Sequence, residues 1–502
     1  MQDTGSVEKL RTFVPGLDHV AGGGIPAGRT TLVSGTAGSA KSTLAAQFLA
    51  GGIREAGEPG VFVTFEEPPA DLRRNLISFG WDVARWENED LWAFVDASPE
   101  PEDDAVEAGS YDMGALLARI RHAVERVGAK RVSIDSIGAV FTQFEDSATV
   151  RRELFRISAA LKRMELTAIL TSERSEEYGS ISRYGVEEFV ADNVIVLRNA
   201  LALDRRRRTL EILKFRGTTH YKGEIPFTVV GERGVVVIPL SALELTHRST
   251  STRTPSGSPD LDTMCGGGFF RDSMILVSGA TGTGKTLLAT EFIEGGVEED
   301  ERCLLFGFEE SPDQLRRNAS GWGVDFASME QDGLLRLECR YPETAGLEDH
   351  LIAIREAVED FKPARVAVDS LSALERVSTE RAFREFIIAL TSFLKSQNVT
   401  GLFTATSPNL LGGSSVTEAH ISTITDSIIL LRYVESYGAI KRGLAVLKMR
   451  GSPHDHNIRE FMIDGAGMHI GDSFQHVTGL LAGHPEYGAP NDSGAPGPRP
   501  TS

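Results

Sequence analysis

The sequence predicts an α/β protein built twice over, as two tandem domains, each a mainly parallel sheet with helices on both faces. Three observations carry this. Short β-branched runs alternate with longer helical patterns, the whole alternation recurs once with its order kept, and each copy opens on a glycine-rich loop between a strand and a helix.

In the first copy the strand TTLVSG runs into the loop GTAGSAKS, Gly35 to Ser42, and then into KSTLAAQFLAGGIREAG, whose apolar residues recur at helical spacing. GVFVTF is the next strand and leads to Glu66 and Glu67. RVSID follows and ends on Asp135. After the helix VRRELFRISAALKRM come the strands AIL and NVIVL. Strands separated by helices pair in parallel, because each crossover carries the chain back to the edge where it started, and ligands then bind at the carboxyl ends.

The second copy repeats these blocks. GGGIPAGRTTLVSGTAGSAKSTLAAQFLAGG from Gly22 matches GGGFFRDSMILVSGATGTGKTLLATEFIEGG from Gly266, and VFVTFEEPPADLRRNLISFGWD from Val61 matches LLFGFEESPDQLRRNASGWGVD from Leu304. RVSIDSIGAV from Arg131 matches RVAVDSLSAL from Arg365, and LEILKFRG from Leu210 matches LAVLKMRG from Leu444. The offset drifts only from 244 (Lys41 to Lys285) to 234 (Lys214 to Lys448), which is a duplicated domain rather than a solenoid. Apolar periodicity stops in SALELTHRSTSTRTPSG, so the expected domains are 1–240 and 258–483, joined by a linker at 241–257. Residues 484–502, rich in Pro and Gly, read as a flexible tail.

A chain of 502 residues holds two large α/β domains. Its formal charge of −19 argues against a protein that coats phosphate backbones, so nucleic acid is not the expected partner. Cys265, Cys303 and Cys339 lack CxxC spacing and fit buried thiols in a reducing compartment. The N-terminus MQDTGSVEKLRTF has no apolar core and no window approaches about eighteen apolar residues, so the expected location is the cytoplasm, without a membrane anchor.

GATGTGKT, Gly279 to Thr286, satisfies GxxxxGK followed by Ser or Thr and lies between the strand MILVS and the helix LLATEFIEGG. Its glycines turn backbone N–H groups inward around phosphates, Lys285 reaches the β- and γ-phosphates, and Thr286 offers a magnesium ligand. Thr281, Gly282, Thr283, Gly284 and Leu287 complete the expected nucleotide loop. The first copy offers Gly35, Thr36, Ala37, Gly38, Ser39, Ala40, Lys41, Ser42 and Thr43, with Ala40 where the second has Gly284. If that position requires a positive φ, the methyl group adds strain, and a degenerate structural site is the alternative.

Asp135 and Asp369 each end an apolar strand where a Walker B aspartate orients a magnesium shell, pairing with Ser42 and Thr286 respectively. Glu66 and Glu67, like Glu309 and Glu310, are expected at strand ends, as solvated pairs or as bases that orient an attacking hydroxyl or water. Lys214, Phe215 and Arg216 recur as Lys448, Met449 and Arg450; basic residues two apart on a strand face one side and suit a phosphate across a subunit boundary, or a solvated edge strand. The run Arg205 to Arg208 reads as a solvated or intersubunit loop, or as a contact for an acidic partner.

The tandem P-loop halves, the FEE segments, KFRG and KMRG, and above all GLFTATSPNLLGGSSVTEAHISTITDSIILLRYVE resemble the KaiC family, from about residue 12 to about residue 475. The resemblance implies tandem RecA-like P-loop NTPase domains that use ATP and Mg2+. It further implies a homohexamer of two stacked rings with ATP at subunit interfaces, in the bacterial circadian clock. The first ring would hydrolyse ATP slowly, and the second would pass phosphate to and from acceptors matching Ser422 and Thr423 in HISTITD.

Aligning Asp192 with Asp426 sets Glu188 and Phe189 opposite those acceptors, and neither can take a phosphate, so only the second half should be a kinase. Glu309 or Glu310 would take the acceptor's proton, and Glu66 or Glu67 would place water. The resemblance also carries Trp322, Arg442, Ser452 and His454 to the second nucleotide, and Ser78, Thr218 and His220 to the first. A KaiB-like partner is implied. The tail does not look like the family's KaiA-engaging tail, so a KaiA-like partner is not. Two other classes remain open: a RecA-like DNA-processing ATPase, for which no extended basic groove or interleaved aromatics are present, and a nucleotide-stabilised signalling scaffold without turnover.

Overall fold

The computed structural model describes residues 7–97, 113–141, 146–185, 187–239, 250–407, 423–436 and 438–474, together with the strand pair Val477–Thr478 and Glu486–Tyr487. Its chain divides into two compact units, Met1–Glu244 and Leu245–Ser502.

The first unit is a nine-stranded sheet. Across it run Gly234–Val237, Ile225–Val230, Arg205–Phe215, Asn193–Ala202, Thr30–Gly35, Thr167–Glu173, Arg131–Asp135, Gly60–Thr64 and Trp92–Asp96. The six from Asn193–Ala202 onward are parallel, and the other three add antiparallel hairpins. Successive strand residues serve opposite faces: Val61 and Val63 pack with the helices Met113–Val127 and Ser147–Arg163, whereas Phe62 packs with the helix Lys41–Ala56. Sheets buried on both sides need such unbroken apolar runs.

The second unit repeats the plan in the order Leu335–Cys339, Cys303–Gly307, Arg365–Asp369, Thr400–Thr406, Met274–Gly279, Ser427–Ser436, Ala439–Met449, Arg459–Asp464 and Gly467–Ser473. Both units are thus RecA-like P-loop folds, each with its P-loop strand at the centre.

A buried arginine fastens the start of each unit. Arg131 bonds Glu58 and the carbonyl of Arg11, and Arg365 bonds Glu301, the carbonyl of Pro255 and the hydroxyl of Thr254. Within the segment read as a linker, Arg253–Thr254 pairs with Phe269–Phe270. In the segment read as a tail, Glu486–Tyr487 pairs with Val477–Thr478, and its other residues lie outside the described ones. Among the described residues no helix is long and apolar enough to cross a membrane. Burial pushes the free thiols of Cys265 and Cys303 up to about 12 and that of Cys339 up to about 11.

One expectation needs correction. Arg205 to Arg208 are not a loop; they open the strand Arg205–Phe215, because the hairpin turns earlier, at Leu203 and Asp204, with Leu203 at φ 58°. Arg206 and Arg208 donate to the carbonyls of Asn199 and Gly38.

Candidate functional site

Each P-loop leaves the carboxyl end of its central strand and becomes the N-terminus of a helix, Lys41–Ala56 or Lys285–Val297. The loops share one internal scaffold. The Ser39 hydroxyl donates to Thr36 O at 2.7 Å and Thr283 to Ala280 O at 2.8 Å, while Lys41 and Lys285 fold their ammonium groups onto those same carbonyls at 2.9 Å. Burial lowers the proton affinity of both lysines, opposed chiefly by Glu173 and Asp135 at Lys41 and by Asp369 and Glu309 at Lys285. The Thr36 hydroxyl also donates to Glu177 at 2.6 Å.

The position of Ala40 does require a positive φ: Ala40 stands at 68° and Gly284 at 105°. Ala40, like Val229, packs against the apolar cluster that contains Val235. A methyl on Gly284 would instead meet Ile463 Cδ1 at 2.9 Å and Met468 Cε at 3.4 Å. The second half thus keeps a glycine beneath the tips of Ile463 and Met468, and the first half carries a strained alanine in the same loop geometry.

Beside each P-loop, threonines engage the Walker B carboxylates. Asp369 accepts from Thr404 and, at 2.7 Å, from Thr286, and Asp135 accepts from Thr171. A P-loop hydroxyl touching a buried carboxylate is a hard-oxygen donor set that fits Mg2+. The glutamate pairs lie not at the strand ends but in the bends just beyond Thr64 and Gly307. Turned out of the ladder, Glu66 accepts from Ser136 at 3.0 Å and Glu309 from Ser370 at 3.1 Å. Glu309 also takes an ion pair from Arg376 at 2.6 Å. Glu67 and Glu310 accept from Asn75 at 3.4 Å and Asn318 at 3.0 Å. Burial, and then the Asp369 charge, push the Glu310 carboxyl above its usual range.

These partners were missed in the sequence. Ser136 with Ser370, and Asn75 with Asn318, sit inside the repeated blocks and could have been found there. Arg376 faces Thr142 in the alignment and gave no signal.

Ser78 and Trp322 follow the helices Pro69–Ile77 and Pro312–Gly321, and Arg442 lies over the ring of Tyr433, whose hydroxyl donates to P-loop Thr281 O at 3.4 Å. The rest of the expected site is elsewhere. Because Ser427 pairs with Ile275 and Leu431 with Gly279, the segment before Ser427 lies at the amino end of the P-loop strand. Lys448 reaches Thr425 O and Arg450 reaches Thr423 O, both at 2.7 Å. In the first half Lys214 reaches Ala191 O at 2.8 Å and Glu188 O at 3.0 Å, and Arg216 reaches Phe189 O at 3.3 Å.

Asp192 and Asp426 complete the two clasps with Arg216 and Arg450. Phe215 and Met449 are buried beneath them. Thr218 and His220 continue from Arg216, with the His220 ring 5.5 Å from Phe215. Ser452 accepts from Arg253 at 2.5 Å, and the His454 ring lies 4.5 Å from that of His456, tilted 60° to it, with neither His454 nitrogen bonded. Ser422 lies outside the described residues. Within one chain, then, the P-loop cluster and the clasp occupy opposite ends of the sheet, roughly 17 Å apart at ~3.3 Å per residue.

Two P-loop halves of this geometry match the family model of the KaiC ATPases over residues 10–242 and 254–474. The chain belongs to the KaiC family. The circadian clock protein KaiC3 of Synechocystis is 63% identical over 491 residues, covering 98% of this chain and 97% of its own. The circadian clock oscillator proteins KaiC of Synechococcus elongatus and Thermostichus vulcanus are 54% and 53% identical, each covering 96% of this chain and at least 92% of their own. As a KaiC-like clock ATPase the chain binds ATP, and the two P-loops are the elements built to hold its phosphates.

Proposed function

We propose that this chain is a ring-forming KaiC ATPase whose second half is a serine/threonine autokinase, passing phosphate from ATP held by one copy to Ser422 and Thr423 of a neighbour. The observation that carries this is the separation of P-loop and acceptor clasp to opposite ends of one sheet, which a second copy placed head to tail brings together. A homohexamer is the closed arrangement proposed.

In the second half the P-loop N–H groups and Lys285 hold the β- and γ-phosphates. The acceptor hydroxyl attacks the γ-phosphorus, its proton passes to Glu309 or Glu310, and ADP leaves. Thr286 and Asp369 would hold Mg2+, as would Ser42 and Asp135 in the first half; the ion's chemistry is to neutralise charge on the phosphates. Lys448 and Arg450 of the neighbouring copy present the acceptor segment, and Trp322 and Arg442, with Ser452 and His454 of the neighbouring copy, frame the nucleotide.

In the first half Glu188 and Phe189 replace the acceptors within the same clasp, so Glu66 or Glu67 directs water instead and the half hydrolyses ATP. Ser78 of the same copy, with Lys214, Phe215, Arg216, Thr218 and His220 of the neighbouring one, frames that nucleotide. Residues 1–240 and 258–483 are the two functional halves of this reading. Its clock setting makes a KaiB-like protein the proposed partner. Incubation with Mg-ATP followed by peptide mass spectrometry tests the kinase: phosphate is expected on Ser422 or Thr423 and absent in Glu309→Gln, Glu310→Gln. ATP hydrolysis with no gain of mass leaves a ring ATPase only.

A further inference from the structure

The P-loop helices of the two halves differ at one buried position. Gln47 and Glu291 both lie one and a half turns past the P-loop lysine, and both accept a backbone N–H from the edge strand of their sheet. Val235 N–H reaches Gln47 Oε1 at 2.7 Å and Met468 N–H reaches Glu291 Oε1 at 2.6 Å. A glycine permits the approach each time. A methyl on Gly234 would stand 2.5 Å from Gln47 Oε1, and one on Gly467 would stand 2.8 Å from Glu291 Oε1.

Satisfaction differs. The Gln47 amide donates to the carbonyls of Arg233 and Val235 at 2.9 and 3.1 Å, so all its polar atoms are used. Glu291 has no N–H to give, and its Oε2 is buried without a hydrogen-bond partner.

We propose that Glu291 is a proton-operated latch between the second P-loop helix and the strand Gly467–Ser473, closed while its carboxyl is neutral and loosened when it ionises. A neutral carboxyl can stay in this buried seam, but a carboxylate with one donor is left short of partners there unless the strand moves away. The charges that face it are few. Glu294 on the same helix opposes ionisation, and His469 on the strand favours it from a half-exposed position where it pairs with Asp464.

Burial outweighs the Met468 N–H and His469 together and pushes the carboxyl from 4.5 to about 7. The folded form thus holds its proton more tightly than the open form, so the latch is fully closed in acid and its contribution is lost as pH rises through neutrality. Met468 and Ile463 also pack where a methyl on Gly284 would lie, so the same release loosens the wall behind the second P-loop. The first half, with Gln47, has no such response.

Hydrogen exchange in the full-length protein tests this, with amide rates corrected for their intrinsic pH dependence. Protection of Gly467–Ser473 is expected to fall about tenfold between about pH 6 and about pH 8. Gly234–Val237 in the same molecules stays flat. Glu291→Gln, which installs the first half's amide, abolishes the fall. An unchanged pH course in Glu291→Gln, or an equal fall in both strands of the wild type, overturns the latch.

Discussion

If the acceptor segment is served by another copy's nucleotide, two individually silent chains should restore phosphorylation when mixed. The register between Met274–Gly279 and Ser427–Ser436 sets the Asp426 end five residue steps from the P-loop end, roughly 17 Å at ~3.3 Å per step. In-line transfer needs reacting atoms within about 3.5 Å. No side-chain rotation closes that gap, because Lys448 and Arg450 hold the carbonyls of Thr425 and Thr423 at the far end.

The assay co-assembles a Glu309→Gln, Glu310→Gln chain, which keeps its acceptors and P-loop, with a tagged Ser422→Ala, Thr423→Ala chain, which keeps its carboxylates. After Mg-ATP, phosphate is expected on the carboxylate-deficient chain alone, while each variant by itself stays unmodified. A mixture that stays silent while wild type gains phosphate at a rate independent of protein concentration would show transfer inside one chain and refute the geometric argument.

Other outcomes follow from the packing and the charges. Gly284→Ala adds a left-handed alanine and one close contact, with the tip of Ile463, an expected loss of about 1–2 kcal/mol from the second unit in thermal unfolding. Ala40→Gly trades strain against chain entropy and should shift the first unit by less than about 1 kcal/mol. Arg365→Met leaves Glu301 to Arg271 alone and strips the Pro255 carbonyl and Thr254 hydroxyl of their buried donor, at an expected cost of about 1–3 kcal/mol in thermal unfolding of the second unit. Asn318→Leu removes a donor that favours ionised Glu310, so the carboxyl, already raised by burial, rises further. Because a base must be ionised, the acidic limb of the autophosphorylation profile should move to higher pH; an unmoved limb would exclude Glu310 from the titration.

What the sequence determined alone was whatever short-range pattern encodes: the duplication, the strand-loop-helix context of both P-loops, and the aspartates that end strands. Each depends on residues a few positions apart, and the duplication supplied an internal comparison for every block. Tertiary structure decided the rest, because it turns on partners far apart in the chain. Ala40 packs against an apolar cluster that includes residues nearly two hundred positions later, and the Glu291 carboxyl is met by the edge strand that opens at Gly467. The glutamate pairs looked like strand ends because FEE continues an apolar run, yet hydroxyl and amide partners turn them into the bend that faces the P-loop. Composition placed the basic pair and the phosphate loop on one list of site residues. Only the strand register set them at opposite ends of the sheet, which is the physical reason the proposed transfer needs a second copy.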